Sequence, residues 1–102
     1  MATAVTDNTE AGRHEIHVDG ELAGFAEYYR HGGVIAYLHT EIKPDFGDRG
    51  LATQLIRGAL DDARASELQV EPFCQFVRAF VKKNPEYRDL VAAGQWERFE
   101  LV

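Results

Sequence analysis

Cys74 is the chain's single cysteine, and it sits between a proline that ends one apolar run and the start of another with helical spacing. Helix N-termini favour thiolates, so Cys74 reads as a nucleophile. The other reading is a small core residue beside Phe73 and Phe76. His39 and Glu41 are two residues apart, which puts them on one face of a strand, where either can act as a general base. An exposed polar strand end is the plainer account of the same pair. The segment "PDFGDRGLATQLIRGAL" (44–60) sets Gly47 and Gly50 directly ahead of a helical pattern. A glycine-bearing loop that opens a helix presents unpaired N–H groups and a positive dipole end to an anion. Gly50, with no Cβ, lets a phosphate approach the backbone, and Ala52 keeps the helix mouth open. A plain loop-to-helix turn is the alternative. The segment has neither the lysine of a P-loop nor the glycine spacing of a dinucleotide fold. His14, His17 and His31 show no metal-ligand spacing, and no metal is expected.

These residues need a frame. "RHEIHV" (13–18), then Asp19-Gly20, then "ELAGFAEYYR" (21–30) read as a hairpin. "HGG" turns the chain into a third strand, "VIAYLHTEI" (34–42), which completes an antiparallel meander. Strict alternation on that strand groups Val34, Ala36, Leu38, Thr40 and Ile42 on one face, and Ile35, Tyr37, His39 and Glu41 on the other. Ala52, Leu55, Ile56, Ala59, Leu60 and Ala63 then form one apolar stripe, so a helix follows the loop. "ELQVEP" (67–72) reads as a short strand, and a strand–helix–strand run favours parallel pairing. Phe73, Phe76, Val77, Phe80 and Val81 repeat the helical spacing, with Phe76 and Phe80 expected in the core. Lys82 and Lys83 complement the dipole of that helix's last turn. Asn84-Pro85 stops it, and Asn84 is expected to cap a short helix over "PEYRDLV". "AAGQWERFELV" is open between a last strand and packing against the sheet.

The whole is expected to be one domain of the α/β class, a mixed and mostly antiparallel sheet with packed helices over residues 13–102, behind a polar, disordered tail at residues 1–12. With 102 residues, 45% of them hydrophobic and a net charge of -6, the chain has a globular composition. Its acidity speaks against nucleic acid as a partner. One cysteine excludes an intramolecular disulfide and fits a reducing, cytoplasmic setting. No apolar run reaches membrane-spanning length, and "MATAVTDNTEAG" does not read as a secretory signal.

The order "HTEI", "GDRGLATQL", "VEPFC", "NPEY" resembles the GCN5-related N-acetyltransferase (GNAT) family, and within it the short single-domain acetyltransferase-like branch, over roughly Glu15 to Val91. The resemblance implies an acetyl-CoA-dependent N-acetyltransferase with an unknown amine acceptor. A non-catalytic module that binds coenzyme A or a protein through the same cleft is the rival function. It implies a pyrophosphate loop over Gly47, Asp48, Arg49, Gly50, Leu51, Ala52 and Thr53. The pantetheine arm would lie along the third strand as far as Ile42, beside the strand that ends at Glu71, and Asn84 would hydrogen-bond that arm. It also implies Cys74 as a carrier of the acetyl group and Glu41 ahead of His39 as base. Tyr87 reads either as proton donor to the departing thiolate or as a tyrosine packed under the turn. Two departures stand out. Gly47 occupies a slot the family usually fills with Arg or Gln, and Asp48 sets an anion in the loop. The early helical segment with which larger members floor the acceptor site is missing. A monomer or weak homodimer is expected.

Overall fold

The computed structural model describes residues 2–47 and 49–101. The five strands are β1 (Thr3–Asn8), β2 (Arg13–Val18), β3 (Glu21–His31), β4 (Val34–Ile42) and β5 (Gln69–Pro72), and they lie side by side in chain order. The first four pair antiparallel, and β5 joins β4 in parallel. The chain is thus an α/β domain with a mixed, mostly antiparallel sheet and packed helices. Helix α1 (Leu51–Ala65) supplies the crossover from β4 to β5, and α2 (Gln75–Lys83) follows β5. Short 3₁₀ turns occupy Pro44–Phe46, Pro85–Leu90 and Ala93–Gln95. No helix among the described residues is long and apolar enough to cross a membrane.

One face of the sheet is the core. Leu51, Leu55, Ile56, Ala59, Leu60 and Ala63 of α1 are buried against it, together with Ile16, Ala26, Ile35, Tyr37 and Val70 from the strands. α1 approaches β1 closely at Gly58, where an added Cβ would fall 2.9 Å from the Val5 side chain. Directly opposed residues of antiparallel strands share a face. Register therefore puts Val5, Ile16, Gly24 and Ile42 in one inward row, and Asp7, His14, Ala26 and Thr40 in the next. Asn8, Arg13, Glu27 and His39 form an outward row, as do Thr6, Glu15, Phe25 and Glu41.

The N-terminal residues are not a tail. Thr3–Asn8 is the edge strand β1, with Val5 on α1 and the Tyr28 hydroxyl donating to Asp7. An edge strand whose inward-facing side chains are Thr3, Val5 and Asp7, two of them polar, gives almost no hydrophobic period. The alternation expected along β4 also breaks. Glu27 pairs with His39 while Tyr28 pairs with Tyr37, so Leu38 is an extra residue, a β-bulge. One inserted residue reverses the parity of all that follows. Thr40 joins Tyr37 on the core face, and His39 and Glu41 face outward with Ala36.

At the C-terminal end Asn84 does not cap the segment after it. Its amide Nδ2 donates back to the carbonyl of Phe80, 2.9 Å away, and closes α2 instead. The residues from Pro85 to Leu90 form 3₁₀ turns rather than an α-helix. The terminal segment forms no strand among its described residues. It buries Phe99 and Leu101, and Trp96 donates to the carbonyl of Val91 at 2.8 Å.

Candidate functional site

The site begins where β4 and β5 part. They pair from Val34 and Gln69 as far as Tyr37 and Pro72, and the Cys74 amide then donates to the Tyr37 carbonyl at 2.8 Å. β4 continues to Ile42, and the side of Leu38–Ile42 away from β3 has no strand partner among the described residues. The bulge at Leu38 comes immediately after this last contact, and bulges bend and twist a strand. The result is a fork. Cys74, the N-cap residue of α2, sits in its angle, 5% exposed, with Sγ 3.2 Å from the hydroxyl of Thr40.

Beyond the end of β4, Gly47 N–H donates to the Pro44 carbonyl and closes the 3₁₀ turn, with Phe46 buried beneath. Asp48 lies outside the described residues. The Arg49 guanidinium lies 5.4 Å from the centroid of the Phe46 ring. Gly50 is the N-cap of α1 with φ +69°, a conformation side chains rarely adopt, and a Cβ there would meet nothing within 4 Å. The first bond of the helix is Gln54 N–H to Gly50 O, and no side chain among the described residues caps the end. The amides of Leu51, Ala52 and Thr53 thus belong to the open first turn.

α1 and α2 enclose a cleft of about 220 Å³. Ala52, Thr53 and Ile56 line one wall, and Phe76, Ala79, Phe80, Lys83 and Asn84 the other. Of the residues singled out in the sequence, the structure brings Ala52, Thr53 and Asn84 together here. Ile42 is half-buried against the core at the end of the fork's long arm. Sequence reasoning missed Lys83 as a wall of the cleft, because a lysine in a last helical turn looks like dipole compensation. It also misread Phe76, which is 56% exposed beside the cleft, whereas Phe80 is buried as expected. Thr40 was missed because alternation without the bulge gives no hint of a neighbour.

His39 and Glu41 stand on the opposite, uncovered face of β4. Both are exposed, and His39 Nε2 lies 3.4 Å from Glu41 Oε1. Among the described residues no imidazole hydrogen-bonds Cys74; its side-chain partner is Thr40. Tyr87 is buried and donates its one proton to Asp61 of α1 at 2.7 Å. Burial and that carboxylate both raise its pKa. Its hydroxyl is therefore not turned toward Cys74, and the expected role as proton donor to a thiolate is corrected. Tyr87 instead anchors the turn after Asn84 onto α1, aided by Arg64, which pairs with Asp89 through two bonds of 2.7 and 3.0 Å.

Away from the cleft, His14 has partners that its spacing in the chain conceals. Its Nε2 lies 2.9 Å from Asp62 Oδ2 and its Nδ1 3.3 Å from the Tyr37 hydroxyl. Ligand atoms of Asp7, His14 and Asp62 all fall within 4.8 Å of one another.

A family model described as GCN5-related N-acetyl-transferase matches residues 13–90. The chain belongs to that family. The GNAT match takes in the meander, the fork, both helices and the turn after Asn84. The chain is also similar to a bovine (Bos taurus) protein, Protein NATD1, at 33% identity over 52 residues. That alignment covers 51% of this chain and 46% of the relative, so the chain spans less than half the length of the curated relative it matches.

Proposed function

We propose that this GNAT domain transfers an acetyl group from acetyl-CoA to an amine. The observation that carries the reading is the fork: β5 stops at Pro72, β4 runs on to Ile42, and the open mouth of α1 lies beyond. The residues present fit the ligand. Amides of Gly50, Leu51, Ala52 and Thr53 take the pyrophosphate, which Lys83 faces from across the cleft. Arg49 supplies a second cation at the loop. Asn84 meets the pantetheine arm, Phe76 and Ile56 cover its apolar stretches, and the free edge of β4 pairs with its amides as with an added strand.

Acetyl-CoA supplies an activated thioester. The chain's own residues bring an amine to it and handle the protons. The acceptor approaches from the uncovered face of β4, where Glu41, with His39 beside it, removes the proton from the incoming amine and releases it to water. The C–N bond forms and the C–S bond breaks. Cys74, backed by Thr40, gives its proton to the departing thiolate and regains one from water, which closes the proton balance. Direct transfer is favoured over an acetyl-cysteine intermediate because, among the described residues, Thr40 and no base hydrogen-bonds Sγ. The lone cysteine fits a cytoplasmic location.

The test is titration with acetyl-CoA by calorimetry, followed by mass spectrometry of an amine panel with Glu41→Gln as control. Binding together with amine acetylation that Glu41→Gln suppresses is expected. An acetyl adduct on Cys74 in the absence of any amine replaces direct attack with the covalent route. Binding with no turnover across the panel leaves a coenzyme A-binding module, and no binding rejects the cleft.

A further inference from the structure

His14 is 1% exposed, yet it touches neither the cleft nor Cys74. Burying an imidazole is costly unless both ring nitrogens are satisfied, and an apolar residue would fill the space without that demand. Both nitrogens are satisfied here. With Nε2–H donating to Asp62, Nδ1 keeps its lone pair and accepts from the Tyr37 hydroxyl. The same hydroxyl has a second acceptor, the Ala59 carbonyl of α1, at 3.3 Å. The Tyr37 ring is thus pinned to β2 and α1 at its far end. The backbone of Tyr37 is the hinge of the fork: its carbonyl holds the Cys74 amide, and its next residue is the bulge.

We propose that His14 is a positioning residue which, through Tyr37, fixes the point at which the β4–β5 fork opens and so seats Cys74. The inference rests on reading the fork as the acetyl-CoA site. A bulge can migrate along a strand when nothing specifies the register. The Asp62–His14–Tyr37 chain specifies it, by tying the residue before Leu38 to the helix on the far side of the core. Ala26 separates His14 from Thr40 in the same cross-strand row, so the tie acts one residue away from the partner of Cys74.

The test compares His14→Asn, His14→Gln and Tyr37→Phe by the alkylation rate of Cys74 with iodoacetamide in the free protein. Asn puts an acceptor near the place of Nδ1; Gln reaches toward Asp62 and leaves Tyr37 without its acceptor. Val5→Ala, at the opposite edge of the sheet, is the control for lost stability. Tyr37→Phe and His14→Gln are expected to speed alkylation about three- to tenfold, the effect of one net hydrogen bond on a local opening. His14→Asn and Val5→Ala should stay within roughly twofold of the parent, whatever their melting temperatures. Equal rates for the Asn and Gln variants overturn the proposal, as does a Val5→Ala rate that matches Tyr37→Phe. If the His14 variants fail to fold, Tyr37→Phe against Val5→Ala decides alone. Acetyl-CoA titration of the same proteins separates the two readings. A split in alkylation with unchanged affinity for acetyl-CoA supports the His14–Tyr37 tie and rejects the fork as the cofactor site.

Discussion

The two ends of α1 are built on opposite plans. At its N-terminus, among the described residues, no side chain caps the helix, the first turn has no acidic residue, and nothing lies within 4 Å of where a Gly50 Cβ would sit. Toward its C-terminus nearly every polar group is matched. Asp61 receives the Tyr87 proton, Asp62 meets His14, and Arg64 binds both Asp89 and the Glu86 carbonyl. A cap at the first end would stabilise the helix by about 1 kcal/mol. Its absence, next to a cleft walled by Lys83 and Asn84, supports the proposal that acetyl-CoA completes the structure at this end. The saturated end holds the turn after Asn84 in place, so that the cleft has a second wall. On that proposal, binding and anchoring are divided along one helix, fifteen residues long.

That division is broken most severely at the open end. Gly50→Val puts a branched side chain at φ +69° and into the phosphate's path. Acetyl-CoA affinity is expected to fall about a hundredfold, roughly 2.7 kcal/mol, while circular dichroism stays close to the parent. Equal affinities in calorimetry would remove the loop from the site. In the middle of the helix, Gly58→Leu must displace Val5 and should cost about 2 kcal/mol of stability in denaturant unfolding, with binding retained once folded.

The matched end has a signature in alkali. Burial, then the Asp7 carboxylate, raise the Tyr28 pKa from 10.0 to about 12, and burial likewise raises Tyr37 and Tyr87. A phenol whose folded pKa is raised favours the protonated, folded state. Its contribution is complete below pH 10 and fades as pH climbs through 10 toward about 12. The melting temperature should fall across that window, and Tyr28→Phe should shallow the slope. An unchanged slope would show that Tyr28 ionises as freely folded as unfolded. The smallest effect is Arg64→Ala. Both it and its partner Asp89 are largely exposed, so the loss of stability should be small, and added salt should shrink it. A larger loss would mean that the turn after Asn84 depends on this one pair.

Much of this frame could be read in the sequence. β2 and β4 run over the expected residues because Asp19-Gly20 and Gly32-Gly33 take the positive φ that tight turns demand. α1 was legible from its stripe, although Leu51 rather than Ala52 is its first buried residue. The site was legible only where chemistry is local. The loop, Asn84 and the angle holding Cys74 follow from short segments. Thr40 beside Cys74, Lys83 across from Thr53, and Tyr87 on Asp61 depend on which strand face and which helix flank meet in space, and no nearby residue encodes that. β1 escaped notice for a related reason, since its pairing with β2 rests mainly on backbone hydrogen bonds, to which every sequence is entitled.

Leu38 gives the sheet an odd count. Up to Tyr37, odd-numbered residues of β4 face the core; past Leu38, even-numbered ones do. In a strand, position is read modulo two, so this single residue works as a phase shift. Straightening the bulge with Leu38 retained would turn Thr40 and Ile42 outward and drive His39 and Glu41 beneath α1, exchanging wet and dry for the whole arm of the fork, whereas deleting Leu38 would leave each on its present face. Insertions should be tolerated in the exposed turn at Gly32-Gly33, where length has no parity. Between Tyr37 and Ile42 the chain should absorb the loss of Leu38 far better than one further inserted residue, which would reverse the parity of all that follows.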